Sequence, residues 1–282
     1  MATIGKPAGT DYETILIEKD EGITWVTLNR PDQRNAMSPQ MHFEMNHALD
    51  VLAVDDDTKV LVLTGAGKAF CSGQDLKLFF RATEDDPAAR HRARQASQDW
   101  RWKKLSTFPK TTIAMINGYC FGGAFTQVCA CDFAIAADEA VFGLSEVNWG
   151  ILPGGIVGWN VAQVLNYRNA LYYAMTGDQF DGKMAKEIGF INASVPLSQL
   201  RAETIKLARK MMEKNQAAVR YTKEAIRVVR FMNEPQAADY LAAKNDALRI
   251  NDKERGREKA MKQFIEEKTF RPGFGTFKRE GD

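Results

Sequence analysis

The chain has 282 residues, a hydrophobic content of 45% and a formal net charge of +2. Such a composition supports a large core and excludes a mainly disordered chain. The near balance of charge gives no electrostatic footing for a nucleic acid or a membrane surface, and no run reaches the roughly 18 apolar residues of a membrane span.

Residues 12–18 and 23–28 alternate with period two around Asp20-Glu21-Gly22, which predicts a β-hairpin. Ser38-Pro39 supplies an N-cap and a first-turn proline for a helix carrying Met41, Met45, Leu49 and Leu52 on one face. Residues 59–64 read as a buried strand, 88–105 as a basic-faced helix ending near Trp100 and Trp102, and 111–116 as another strand. Helical spacing follows at 125–131, a strand at 133–137, helices at 157–165 and 169–175, and a strand at 190–195. From Leu197 onward the pattern is all helical, over 200–214, 217–230, 235–248 and 254–268. Strands alternating with helices before a helical tail predict an α/β fold, divided into a core over 1–196 and a helical region over 197–282.

The N-terminus, MATIGKPAGTDYE, lacks a leader's basic-then-apolar pattern, so a cytoplasmic protein is expected. Cys71, Cys120, Cys129 and Cys131 share no metal-ligand spacing with His42, His47 or His91. They read as reduced structural thiols, and no metal is expected.

The stretch 113–155 concentrates the chemistry. Gly122-Gly123 opens a helix, where unpaired N–H groups can bind a phosphate or a developing oxyanion. Glu146 then stands alone among Phe142, Leu144, Val147 and Trp149, a setting expected to desolvate its carboxylate and raise its pKa toward acid–base use. Ser72-Gly73 in the earlier AFCSGQDL stretch makes further backbone amides approachable.

The segments TLNRPDQRNAMS, LTGAGKAFCSGQDL, INGYCFGGAF and FGLSEVNWGILPGG, in that order over nearly the whole chain, resemble the enoyl-CoA hydratase/isomerase (crotonase) superfamily. With LYYAMTG and ADYLAAK, the resemblance is nearest to its hydroxycinnamoyl-CoA hydratase-lyases. It implies a stacked ββα spiral with a C-terminal trimerisation region, assembled as trimers or dimers of trimers. It also implies an acyl-CoA thioester substrate, coenzyme A being part of that substrate and no cofactor being required. The thioester oxygen would sit between the N–H groups of Gln74 and Gly123, with the loop residues Ser72, Gly73, Gly122 and Ala124 around them. Glu146 would be the acid–base group.

Simple hydratases of the superfamily carry a second glutamate where this chain has Thr126, and the lyases keep only the later one. Tyr240 matches the lyase position that hydrogen-bonds the substrate's aromatic end, from its own or a neighbouring subunit. A second lyase tyrosine is Phe79 here. Ser145, Asn148, Trp149, Gly150 and Gly154 are expected near the aromatic pocket, with a core position as the other reading of Trp149. For coenzyme A the resemblance points to Gln33, to Ser72, Asp75, Leu76 and Lys77, and to Lys268, while Arg30, Arg34 and Lys68 are candidate phosphate partners. The other readings are a hydratase or isomerase on different acyl-CoAs, a non-catalytic binder, and an RNA-associated member, the last opposed by the balanced charge.

Overall fold

The first turn of the chain is a tight one. Glu21 and Gly22 have φ angles of 47° and 86°, the geometry that matches the twist of paired strands in a two-residue hairpin. They join β1 (Ile15–Asp20) to β2 (Ile23–Leu28), antiparallel with Ile15 opposite Leu28 and Asp20 opposite Ile23. The structure, a computed structural model, describes residues 11–273 and 275–279; the stretch read for a leader lies mostly outside them. α1 (Pro39–Val54) starts where expected, with Ser38 Oγ accepting the Met41 N–H at 3.2 Å.

Beyond α1 the strands come in pairs. β3 (Val60–Gly65) and β4 (Ala69–Cys71) precede α2 (Pro87–Gln98), and β5 (Thr111–Ile116) and β6 (Tyr119–Phe121) precede α3 (Ala124–Ala130). β7 (Phe133–Ala137) and β8 (Val141–Gly143) precede α4 (Val157–Val164) and α5 (Tyr167–Thr176). β9 (Gln179–Asp181), α6 (Gly182–Glu187) and β10 (Ala193–Val195) follow, before α7 (Leu197–Met212).

The first strand of each pair enters a six-stranded sheet ordered β1-β2-β3-β5-β7-β10, and the second enters a four-stranded sheet ordered β4-β6-β8-β9. Pairing is parallel along β3-β5-β7 and along β4-β6-β8. This is the ββα spiral that the resemblance implied. The smaller sheet was not legible in the sequence, because its strands are each three residues long, too short for alternation to register.

Several elements differ from expectation. The strand expected over 190–195 is confined to Ala193–Val195, because the Phe190 and Ile191 N–H groups both return to the Ala185 carbonyl at the end of α6. The helix expected over 88–105 changes at Asp99–Lys104 into a π-helical turn, a form often found at functional sites.

Aromatic packing ties together the segments that lead into the site. Phe125 of α3 meets Phe142 of β8 edge-on at 6.2 Å, and Phe142 stacks on Phe180 of β9 at 5.3 Å. Phe190 closes on Phe125 at 4.8 Å. Each such pair adds about 0.5–1.5 kcal/mol beyond its buried area, so the start of α3 and the end of β8 are held as one piece.

The chain divides into two compact units, Met1–Ala208 and Arg209–Asp282, with the division inside α7 rather than at its start. In the second unit α8 (Gln216–Val229) packs on α9 (Glu234–Asn251), with Lys244 paired to Glu224 at 2.7 Å, and α10 (Gly256–Met261) follows. Among the described residues no helix is long and apolar enough to cross a membrane.

Candidate active site

Three loops leave the small sheet at the same end, because β4, β6 and β8 are parallel neighbours. They carry Ser72–Gln74, Gly122–Gly123 and Leu144–Glu146. Pairing is direct at the edge of the site, where the Gly122 N–H donates to Gly143 O at 2.9 Å. A bulge between Ala69 and Cys71 re-aims the first loop.

Two glycines let these loops touch. Gly73 has φ +95°, and a Cβ there would lie 3.1 Å from Phe121 O and 3.5 Å from Gly123 N. Gly122 has φ +51°, and a Cβ there would lie 3.0 Å from Glu146 Oε1. Only glycine takes such angles at little cost while leaving that space open.

The expected oxyanion donors lie on the first two of these loops. The Met37 N–H donates to Gly73 O at 2.8 Å and the Asp75 N–H to Met37 O at 3.0 Å. In that parallel bridge the peptide groups of Gln74 itself turn away from Met37. Among the described residues neither the Gln74 nor the Gly123 N–H donates to a protein acceptor. The loops are close there, a Cβ on Gly123 lying 3.6 Å from Gln74 Cγ.

Glu146 is the second residue of a short 3-10 helix, Ser145–Trp149. Its Oε2 is buried and has no hydrogen-bond partner among the described residues. Desolvation raises its pKa above the ordinary 4.5, the shift expected of a carboxylate held for proton transfer. The cause differs in part from the sequence reading: Phe142 and Leu144 are buried, but Val147 is 39% and Trp149 67% exposed. Trp149 is therefore not a core residue in the isolated chain. Asn148 leans on Gly177, and Gly150 and Gly154 are exposed.

Thr126 lies in the first turn of α3 and is 1% exposed, with Oγ1 unpartnered among the described residues. Ala124 is buried beside it and Ser145 is half-buried. The position at which the resemblance implies a second carboxylate in simple hydratases thus carries a buried hydroxyl. Phe79 is buried edge-on against His42 at 5.3 Å.

The expected coenzyme A positions separate into two groups. Asp75 accepts the Lys77 and Leu78 N–H groups and pairs with Arg30 at 2.8 Å, and Arg30 also donates to Ala36 O. Those two side chains therefore hold the loop. Gln33, Arg34, Lys68, Leu76 and Lys77 are exposed around the same loops. The Ser72 hydroxyl bonds the Gln33 carbonyl at 3.3 Å, and Arg34 lies over the Tyr119 ring at 5.1 Å. Tyr240 and Lys268 belong to the second unit, where Tyr240 is half-buried on α9 with the Lys244 ammonium 5.5 Å from its ring centre.

One set of residues escaped the sequence reading. Although a backbone donor needs no particular side chain, the Gln74 side chain is tied at both ends. Its Oε1 lies 2.8 Å from His42 Nε2, and its Nε2 donates to Ser97 Oγ at 2.8 Å. His42 Nδ1 accepts the Trp100 indole N–H at 2.7 Å, so Nε2 carries the proton toward Gln74. Burial lowers the His42 pKa to about 3, which keeps it neutral. Burial pushes the Cys71 thiol up to about 11 and that of Cys120 well above its usual range, so neither is an activated nucleophile.

Comparison with known proteins identifies the family. The family model for enoyl-CoA hydratase/isomerase matches residues 18–273. The chain belongs to the enoyl-CoA hydratase/isomerase family. Within it, the chain is 48% identical over 269 residues to a hydroxycinnamoyl-CoA hydratase-lyase from Pseudomonas fluorescens, covering 95% of this chain and 98% of that one. It is 34% identical over 215 residues to a probable enoyl-CoA hydratase from Mycobacterium bovis, covering 76% and 81%. Among solved structures, an enoyl-CoA hydratase from Bacillus anthracis superposes with a TM-score of 0.83 at 29% identity, covering 96% and 100%.

Proposed function

We propose that the chain is a lyase that hydrates a 4-hydroxycinnamoyl-CoA, such as feruloyl-, coumaroyl- or caffeoyl-CoA, and cleaves the product to an aromatic aldehyde and acetyl-CoA. The observation that carries this reading is the buried, unpartnered Oε2 of Glu146, a carboxylate set against Gly122 in the loop that also supplies one of two unpartnered backbone amides, in a chain so similar to a hydratase-lyase. Thr126 in place of a second carboxylate argues against a hydration shared between two glutamates.

The thioester oxygen binds the Gln74 and Gly123 N–H groups, which are fixed before charge develops and so need no reorganisation. Glu146 takes a proton from water as the oxygen adds to Cβ, and returns it to Cα. It then removes the proton of the new hydroxyl. The Cα–Cβ bond breaks, the aldehyde leaves, and the electron pair stays on the acetyl-CoA enolate held by the two amides. Glu146 reprotonates that enolate at carbon, which restores its carboxylate. As the resemblance implies, Tyr240 of this or a neighbouring subunit holds the phenolic end of the substrate, donor and acceptor matched to donor and acceptor. No cofactor enters, since coenzyme A is part of the substrate.

A second reading, hydration or isomerisation of another acyl-CoA, is favoured by Phe79, which offers no hydroxyl to a phenol. The test is incubation with feruloyl-CoA while recording both the enoyl absorbance and the aldehyde. Vanillin and acetyl-CoA in equal amounts support the lyase; loss of the enoyl band without aldehyde supports the second reading and refutes the first.

Self-association as a trimer or a dimer of trimers belongs to the same proposal. Tyr167, Leu171 and Met175 repeat every fourth residue on α5 and are 76%, 40% and 68% exposed, an apolar stripe of the kind that marks an interface. We place the protein in the cytoplasm, where its free thiols stay reduced.

A further inference from the structure

Behind the paired amides lies a buried cation that the reaction scheme above does not use. Arg101 stands in the π-helical turn after α2 and is 6% exposed. Its Nε donates to Ser97 O at 3.1 Å and to Ser97 Oγ at 3.0 Å, and its Nη1 donates to Gly123 O at 3.0 Å. Every one of these acceptors is neutral. Among the described residues no carboxylate pairs with it, and none contributes to its titration. Burial lowers its pKa to about 10, which leaves it positive at neutral pH.

A guanidinium buried without a counter-ion opposes folding, because desolvating the charge is not offset by a partner. Something else must explain its presence. Its nearest polar neighbours belong to the proposed oxyanion hole. Nη1 would lie 3.2 Å from a Cβ on Gly123, and Ser97 Oγ links Arg101 to the Gln74 side chain. The hydrogen bonds run with consistent polarity from the Trp100 indole to His42, to Gln74 and to Ser97, and from Arg101 to both Ser97 and Gly123. A single charge therefore braces both loops whose N–H groups face the substrate oxygen.

We propose that Arg101 is a positioning residue whose buried charge, acting through the Gly123 peptide and the Ser97–Gln74 link, favours the thioester enolate over the neutral thioester. Its counter-ion is transient: the negative oxygen that forms in the hole. A charge in a water-poor site acts on that oxygen with little screening. The proposal rests on the enolate-holding role given above to Gln74 and Gly123, but not on the aromatic substrate.

Acetyl-CoA separates the two. In deuterated water Glu146 removes a proton from the acetyl methyl group, the enolate forms in the hole, the Glu146 carboxyl proton exchanges with solvent deuterium, and Glu146 returns deuterium to the enolate carbon, so exchange reads enolate stability with no aldehyde involved. With Arg101→Met we expect exchange to fall about 100-fold, the lower end of what losing an oxyanion donor does. Acetyl-CoA affinity should change by less than about 3-fold, because a neutral thioester gains little from the charge. Arg101→Lys, which keeps the charge and loses the fork, should recover a substantial part of the exchange.

Exchange at the wild-type rate in Arg101→Met would overturn the proposal. So would affinity falling as steeply as exchange, or Arg101→Lys no better than Arg101→Met, since either marks a purely structural brace. Absence of exchange in the wild-type enzyme would overturn the enolate-holding role and Arg101's with it. If feruloyl-CoA gives no aldehyde while the exchange pattern holds, the substrate assignment fails and the role of Arg101 stands.

Discussion

Gly122→Ala separates damage to the chemistry from damage to the fold. The added methyl would lie 3.0 Å from Glu146 Oε1, 3.4 Å from Cδ and 3.7 Å from Oε2, and those carboxylate atoms are its three nearest contacts. The backbone cost is that of an L-residue at φ +51°, about 1–2 kcal/mol. The carboxylate is the free end of a side chain and can rotate aside, so the fold tolerates the methyl. Proton transfer does not, because a catalytic group displaced by about 1 Å costs on the order of 100-fold in rate.

The expected outcome is kcat/KM for aldehyde release down 10- to 100-fold, an order-of-magnitude range, with Tm lower by only a few degrees. Gly189→Ala is the control. Gly189 has φ +79° with nothing within 4 Å of its Cβ position, so it carries the strain without the contact and should keep full activity. Equal activity losses in the two variants, or wild-type kcat/KM in Gly122→Ala, would refute the packing of Gly122 on Glu146 as a catalytic constraint.

Three other outcomes follow from the geometry. Desolvation holds the Glu146 pKa above its ordinary 4.5, so the stability linked to its proton is complete below about pH 4.5 and is lost as pH rises through the folded value. Glu146→Gln should therefore melt above the wild type at pH 8 and level with it at pH 4, while losing at least about 1000-fold in kcat; a variant less stable at pH 8 contradicts the buried, unpartnered carboxylate. Asp75→Ala removes a helix cap and leaves Arg30 unpaired where its side chain is only 13% exposed. Chemical denaturation should show a loss of about 3–5 kcal/mol, and a loss below about 1 kcal/mol would class the pair with ordinary surface bridges. Tyr240→Phe should weaken kcat/KM about 3- to 10-fold for substrates with a 4-hydroxyl, the worth of one hydrogen bond, and leave unsubstituted cinnamoyl-CoA unchanged; equal effects on both would remove Tyr240 from the phenol.

What the sequence disclosed was the chemistry of short stretches. Ser38-Pro39 capped α1, and the doubled glycines stood at the start of α3. A lone glutamate in an uncharged stretch proved to have a buried oxygen without a partner. Each of these is a local rule satisfied within a few residues. The convergence of the three loops was not local. It depends on the order β4-β6-β8 in a sheet of three-residue strands, whose pairing joins segments about fifty residues apart and about twenty residues apart with no periodic signature.

Arg101 was hidden for a different reason. A 3.6-residue period read through 88–105 assigns its basic residues to one solvated face, but the π-helical turn Asp99–Lys104 shifts the register. Trp100 and Arg101 are carried inward together, at 0% and 6% exposure. The signal was present in the composition of that turn, where an arginine stands between two tryptophans and four residues after Ser97. A cation in such apolar company is costly to bury, and local propensity gives no reason for it. The same consideration joins it to Glu146. The protein places two charged side chains against adjacent glycines, Arg101 at Gly123 and Glu146 at Gly122, and among the described residues gives neither an ionic partner, Arg101 meeting only neutral acceptors and the buried oxygen of Glu146 meeting none. A stable scaffold would neutralise both. Leaving them unmatched makes sense for a site whose missing partners arrive with the substrate: a proton for the carboxylate and a negative oxygen for the guanidinium.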